Sequence, residues 1–129
     1  MKHIKKSLLI GLPIILLASC ANLQFDPVEY NNAITLKELN GDVHQKCGTS
    51  DVLPAILDLK KAIDRQEVYT EHRSGREHIT QATINVQEIV NGLYVAYQRN
   101  PAHSTQFCVD KTDLINNGLG LIINQLGEL

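Results

Sequence analysis

Between residues 79 and 97 the apolar side chains Ile79, Ala82, Val86, Ile89, Val90, Leu93 and Tyr97 recur at steps of three and four. Such steps return to one face of an α-helix, whereas a half-buried strand needs strict alternation. The spacing therefore predicts an amphipathic helix of about five turns. Its apolar stripe has to be covered by other elements, which constrains the chain more than any other feature it carries. Ser74 and Glu77 have the spacing of a capping box at its start, and Asn100-Pro101 ends it.

The neighbouring segments supply the cover. Asp26-Pro27-Val28-Glu29 has a cap, a proline at the first helical position and a glutamate placed to reach back in a capping box. Tyr30, Ala33, Ile34, Leu36 and Leu39 continue that helix, and Asn40-Gly41 is expected to stop it. Residues 33–36 fit a short extended piece as well. A loop over 42–50 then carries His44 and Cys47. Asp51 is expected to cap a second helix, with Pro54 in its first turn, where a missing amide hydrogen breaks no helix bond. Val52, Leu53, Ile56, Leu57, Leu59, Ala62 and Ile63 form its apolar face, ending near Val68-Tyr69. After the third helix, residues 102–109 bring in His103 and Cys108, and Asp110 or Thr112 is placed to cap a last helix along Leu114, Ile115, Leu119, Ile122, Ile123 and Leu126. Gly118 and Gly120 each lower helicity by about 1 kcal/mol relative to alanine, a cost that close approach of a neighbouring helix would explain. There is no internal repeat and no sustained heptad array. The expected fold is all-α, a small bundle of about four helices, three long and the first shorter, in one domain over residues 26–129.

The start of the chain has a different character. Lys2, Lys5 and Lys6 precede an apolar core over residues 8–18, ended by small residues, which is the layout of a secretory signal peptide. That core is well short of the ~20 residues that span a bilayer as a helix. Leu17-Ala18-Ser19-Cys20 resembles the lipobox of bacterial lipoproteins. The resemblance implies removal of residues 1–19, a diacylglycerol on the thiol of Cys20 and an acyl chain such as palmitate on its freed amine. Two or three chains hold durably where one holds marginally, at about 0.8 kcal/mol per buried methylene. Residues 20–25 become a lipidated tether, whose five residues after Cys20 reach at most ~17 Å. Ala21 follows Cys20, and in enteric-type lipoproteins a residue other than Asp there implies the outer membrane, facing the periplasm.

Removing residues 1–19 from the 129 leaves 110, enough for one domain with a modest core. The removed segment holds three of the 12 Lys and Arg and none of the 14 Asp and Glu, so nine basic groups face fourteen acidic ones, a net charge of −5. That balance argues against nucleic acid and against charge-driven binding of anionic lipid. With Cys20 assigned to lipid, Cys47 and Cys108 form the one possible intrachain pair, outside the reducing cytoplasm. Closing that loop stabilises the fold by roughly 4 kcal/mol in the chain-entropy model. Two buried free thiols are the alternative.

No residue set announces a reaction. There is no Gly-x-Ser-x-Gly elbow, His-Glu-x-x-His or glycine-rich phosphate loop, and acid pairs such as Asp58 with Glu67 or Glu71 with Glu77 are ordinary solvated charges unless a cleft unites them. No catalytic residues, metal ligands or cofactor are therefore expected beyond the covalent lipid on Cys20. His44, His72, His78 and His103 lack the i, i+4 spacing of a helical metal pair, and Cys47 has a better use than joining His44 on zinc. Histidines titrate near neutrality, so a pH-sensitive surface is their alternative use. The corner His72-Arg73-Ser74-Gly75-Arg76 is locally basic on an acidic chain, and His72, Arg73 and Arg76 are its candidate partner contacts. It is expected to lie away from the tether, with the first helix toward the anchor. A hydrated interhelical turn is the competing reading.

Gly92-Leu93-Tyr94 through Asn100-Pro101, then Phe107-Cys108-Val109 and a closing apolar helix, is similar to the C-terminal half of Tai-type immunity proteins. These are small, helical, disulfide-bonded periplasmic proteins that block peptidoglycan amidases delivered by rival bacteria. The sequence departs from them at Asp110, where that family tends to have proline, and no inhibitory residue carries across. The expectation is a membrane-anchored envelope module that binds another envelope protein, as an immunity or exclusion factor does. An anchored cell-wall hydrolase and a structural envelope component are the alternatives.

Overall fold

Asp26 starts the first helix as its residue type and position suggest. Its Oδ1 accepts hydrogen bonds from the amides of Val28 at 2.9 Å and Glu29 at 3.3 Å, and Pro27 occupies the first helical position. The computed structural model describes residues 25–73 and 76–129. Within them run four α-helices, α1 (Pro27–Lys46), α2 (Val52–Glu71), α3 (Glu77–Arg99) and α4 (Thr105–Gly127), and no strand. Each helix packs on two others: α1 on α2, α2 on α3, α3 on α4, and α4 back on α1. Connections of only five residues join sequential helices, so neighbours run antiparallel and the arrangement is an up-down-up-down bundle.

Two helix boundaries differ from the expectation for one reason. The first helix does not stop at Asn40-Gly41 but runs to Lys46, making it 20 residues long like α2. Asn40 is buried and its Nδ2 donates to the Thr112 carbonyl on α4 at 2.9 Å. The last helix starts at Thr105, before both Asp110 and Thr112, because Ser104 Oγ accepts from the Phe107 amide at 3.1 Å. Cys108 therefore lies inside a helix rather than in a loop.

The buried positions explain both shifts. They are Glu29, Ala33, Leu36, Asn40 and Val43 on α1, then Cys108, Thr112, Ile115, Leu119, Ile122 and Leu126 on α4. On α3 they are Ile79, Thr83, Val86, Val90, Leu93 and Tyr97, and α2 follows suit through Ile56, Leu59, Ile63, Gln66 and Thr70. Every set advances in alternating steps of four and three, the mean spacing of 3.5 that marks a and d positions of helices packed side by side. A sustained heptad pattern is thus present after all. It is masked because polar residues occupy several inward positions. Thr83 and Thr112 return their hydroxyls to carbonyls of their own helices.

The pairing of Cys47 with Cys108 is as expected, linking the end of α1 to the first turn of α4 with Cα atoms 5.6 Å apart across a sequence separation of 61. Gly48 follows in the left-handed region, φ 81°, and Thr105 packs where a side chain on it would stand. Gly118 does admit close helix packing, since a Cβ there would lie 2.6 Å from Val86 Cγ2 on α3. Gly120 faces open space and serves no such contact. Asp51 makes no side-chain cap to α2. The capping box expected from Ser74 falls outside the described residues.

Candidate functional site

The antiparallel path gives the bundle two chemically different ends. One gathers the starts of α1 and α3 with the ends of α2 and α4; the other holds the disulfide.

At the first end Asp26 is a hub. Besides capping α1, its Oδ2 accepts from the Tyr69 hydroxyl at 2.7 Å and pairs with Arg73 Nη2 at 3.3 Å. Burial alone would raise the Asp26 pKa, but the bonds from Tyr69 and the two amides, together with the Arg73 charge, outweigh it and hold the carboxyl below its usual range. The same bond to Asp26, with burial, pushes the Tyr69 phenol up. One turn into α1, the carboxylate of Glu29 is fully buried and accepts from Arg76 Nη1.

The three candidate contact residues of the α2–α3 corner thus have different fates. His72 is exposed, its Nδ1 donating to the Val68 carbonyl at 2.7 Å. Arg73 is 41 % exposed but tied to Asp26. Arg76 is only 1 % exposed and cannot serve as a surface contact, because an inward-facing glutamate on α1 draws its guanidinium into the core. The corner also stands at the same end as Asp26, where the described residues begin, and not at the far one. Ser74 and Gly75 are outside the described residues. Beside the corner, Glu71 and Glu77 line a shallow cleft of about 280 Å³ with Arg73, Thr80 and Gln81.

The disulfide end carries a larger opening. A cleft of about 410 Å³ lies between the α1–α2 and α3–α4 connections, lined by Gly48, Thr49, Leu53, Tyr97, Ala102 and His103 among others. The His103 ring stacks on Phe107 at 4.5 Å and meets the edge of Tyr97 at 5.1 Å. Its Nε2 lies 3.0 Å from the Ala96 carbonyl, which can only accept, so the proton sits on Nε2 and Nδ1 is left as an acceptor in the neutral ring. Tyr97 is buried, burial raises its pKa, and its hydroxyl has no hydrogen-bond partner among the described residues. This mixture of apolar walls and a few oriented polar atoms suits an inserted side chain.

Compared with protein-family models, curated proteins and solved structures, the chain matches none.

A third opening, about 290 Å³, runs between α1 and α4 over Asn40, Gly41, His44, Thr112 and Asp113. Thr112 Oγ1 spends its proton on the carbonyls of Cys108 and Val109, so His44 Nδ1, 2.9 Å away, is the donor between them. Asp113 lies 3.9 Å from the same nitrogen. Cys47 cannot join His44 on a metal, being oxidised to the disulfide, and the described residues hold no cluster of three or more His, Cys, Asp or Glu suited to a metal ion. The polar residues Asn40 and Thr112 were invisible to a search for apolar periodicity. Their phase with Leu36, Val43, Cys108 and Ile115 is the signal that reveals them.

Proposed function

We propose that the chain is a bacterial envelope lipoprotein, anchored through acyl groups on Cys20 to the outer membrane. Its bundle is a protein-binding module that presents the disulfide end to an envelope partner. The observation that carries this reading is the polarity of the bundle. The tether enters at Asp26, beside Tyr69 and Arg73, while the cleft of about 410 Å³ lies at the opposite end, a 20-residue helix or about 30 Å away. A partner approaching from the periplasm meets that end first. The cleft's Leu53, Ala102 and His103 suit an aliphatic or aromatic side chain carrying one polar group, the kind of anchor that dominates interface energies. Blocking a partner by occupying it in this way is what an immunity or exclusion factor does.

The test uses the native chain extracted in detergent. Intact mass should show a mature protein beginning at acylated Cys20, and fractionation should place it in the outer membrane. Ala102→Arg, at the exposed rim of the cleft, should weaken retention of the co-purifying envelope partner about tenfold or more, with an unchanged melting temperature. A chain lacking acyl groups removes the anchor. Full partner retention by Ala102→Arg removes the disulfide end as the binding face.

A further inference from the structure

Among the described residues seven large apolar side chains are exposed, and four of them, Phe25, Val28, Val68 and Leu129, belong to the end of the bundle where the tether enters. Of these four, Val28 and Val68 are the most open, at 54 % and 52 %. They sit in the first turn of α1 and the last turn of α2, two segments that the Tyr69–Asp26 bond draws together. Phe25 leans on Tyr30 at 5.4 Å between ring centres, and Tyr30 in turn packs at Gly127, two residues before Leu129. The result is an apolar rim, with an aromatic pair, around one end of the bundle, while Val95, Leu114 and Leu121 are exposed elsewhere along α3 and α4.

We propose that this rim lies against the lipid surface that holds the anchor, with Phe25, Val28, Val68 and Leu129 entering the headgroup layer. The proposal rests on the reading of Cys20 as acylated. Phe25 is five residues after Cys20, so this edge of the rim is never more than ~17 Å from the acyl attachment point. A small domain is about 30 Å across, so a second protein does not fit beneath the bundle, whereas lipid is already there. Tethering also raises the effective lipid concentration, so that apolar contacts too weak to recruit a free protein remain filled. Valine, leucine, phenylalanine and tyrosine are the side chains that such an interface accepts.

Charge selects the kind of lipid. Glu71 and Glu128 flank the rim, and the nearby Arg73 is already held by Asp26. A neutral or zwitterionic surface therefore fits, and an anionic one would be repelled. With the rim seated, the His103 cleft points directly away from the membrane.

The chain has no tryptophan, so one introduced indole reports on one place. The acylated chain carrying Val68→Trp is reconstituted in phosphatidylethanolamine–phosphatidylcholine vesicles whose acyl chains are brominated. The indole should be blue-shifted and quenched. Val95→Trp, at a comparably exposed site near the other end of α3, should emit as it does in water. Intact mass is read on the same samples. An acylated chain in which both indoles remain in water overturns this proposal and leaves the lipoprotein reading standing; a chain without acyl groups removes both. Quenching that appears only after phosphatidylglycerol is added overturns the assignment to a neutral surface. A blue shift that grows with protein concentration but is not quenched by bromine shows a second copy on the rim, and overturns it too.

Discussion

Replacing Arg76 with alanine should be among the most damaging single changes this domain can suffer, although Arg73, three residues earlier, should be nearly dispensable. The Glu29 carboxylate is fully buried and Arg76 is 1 % exposed, so Arg76→Ala strands a charge inside the bundle. Removing one partner of a buried ion pair costs about 3–5 kcal/mol, against a total stability of about 5–15 kcal/mol for a domain of this size. At roughly 4–8 °C per kcal/mol, a loss of about 3–5 kcal/mol should lower the melting temperature by about 12–40 °C. Arg73→Ala breaks a half-exposed pair worth about 0–1 kcal/mol and should shift melting by only a few degrees. The combination Glu29→Leu with Arg76→Met should recover most of the loss, since apolar residues of similar volume replace buried pairs at little cost. Thermal and urea unfolding followed by circular dichroism decide the matter. A loss below about 1 kcal/mol for Arg76→Ala, or a double variant as unstable as the sum of its parts, would refute the argument that this pair is a desolvated unit.

Two further perturbations probe packing and protonation. Gly118→Ala should destabilise by about 1–3 kcal/mol because the new methyl meets Val86, whereas Gly120→Ala, with nothing nearby, should stabilise by about 0.5–1 kcal/mol through helix propensity; equal effects in urea titrations would show that α3 and α4 are not locked at this point. Stability should also fall at both pH extremes. The phenols of Tyr69 and Tyr97 are raised above their ordinary range, so their contribution is complete below that range and is lost as pH rises through the folded values. Asp26, and Asp64, where bonds from Lys60 and Gln87 outweigh burial, are held below the usual carboxylate range, so their contribution is complete above that range and is lost as pH falls beneath it. Urea midpoints across pH, read with tyrosinate absorbance, should show Tyr69→Phe removing part of the alkaline loss; an unchanged alkaline limb would contradict the Asp26 hub.

Much of the molecule was written in local pattern. The apolar steps from Ile79 to Tyr97, the Asp26-Pro27 start, the Asn100-Pro101 stop and the two cysteines after Cys20 determined an all-α bundle with one disulfide, because helix periodicity, caps and a cysteine count need no knowledge of neighbours. What the pattern could not show were the polar residues that face inward. Asn40 next to Gly41 looks like a helix stop, and Arg76 beside Arg73 looks like a surface charge, until another helix supplies Thr112 for the one and Glu29 for the other. A buried polar side chain needs a partner, and for these two it is distant in sequence, 72 residues away for Asn40 and 47 for Arg76. Tertiary structure alone also decided which corners share an end. The five-residue connections set α1 and α2 antiparallel, and that geometry carries the basic corner back beside Asp26 and leaves His103 and its cleft at the opposite end.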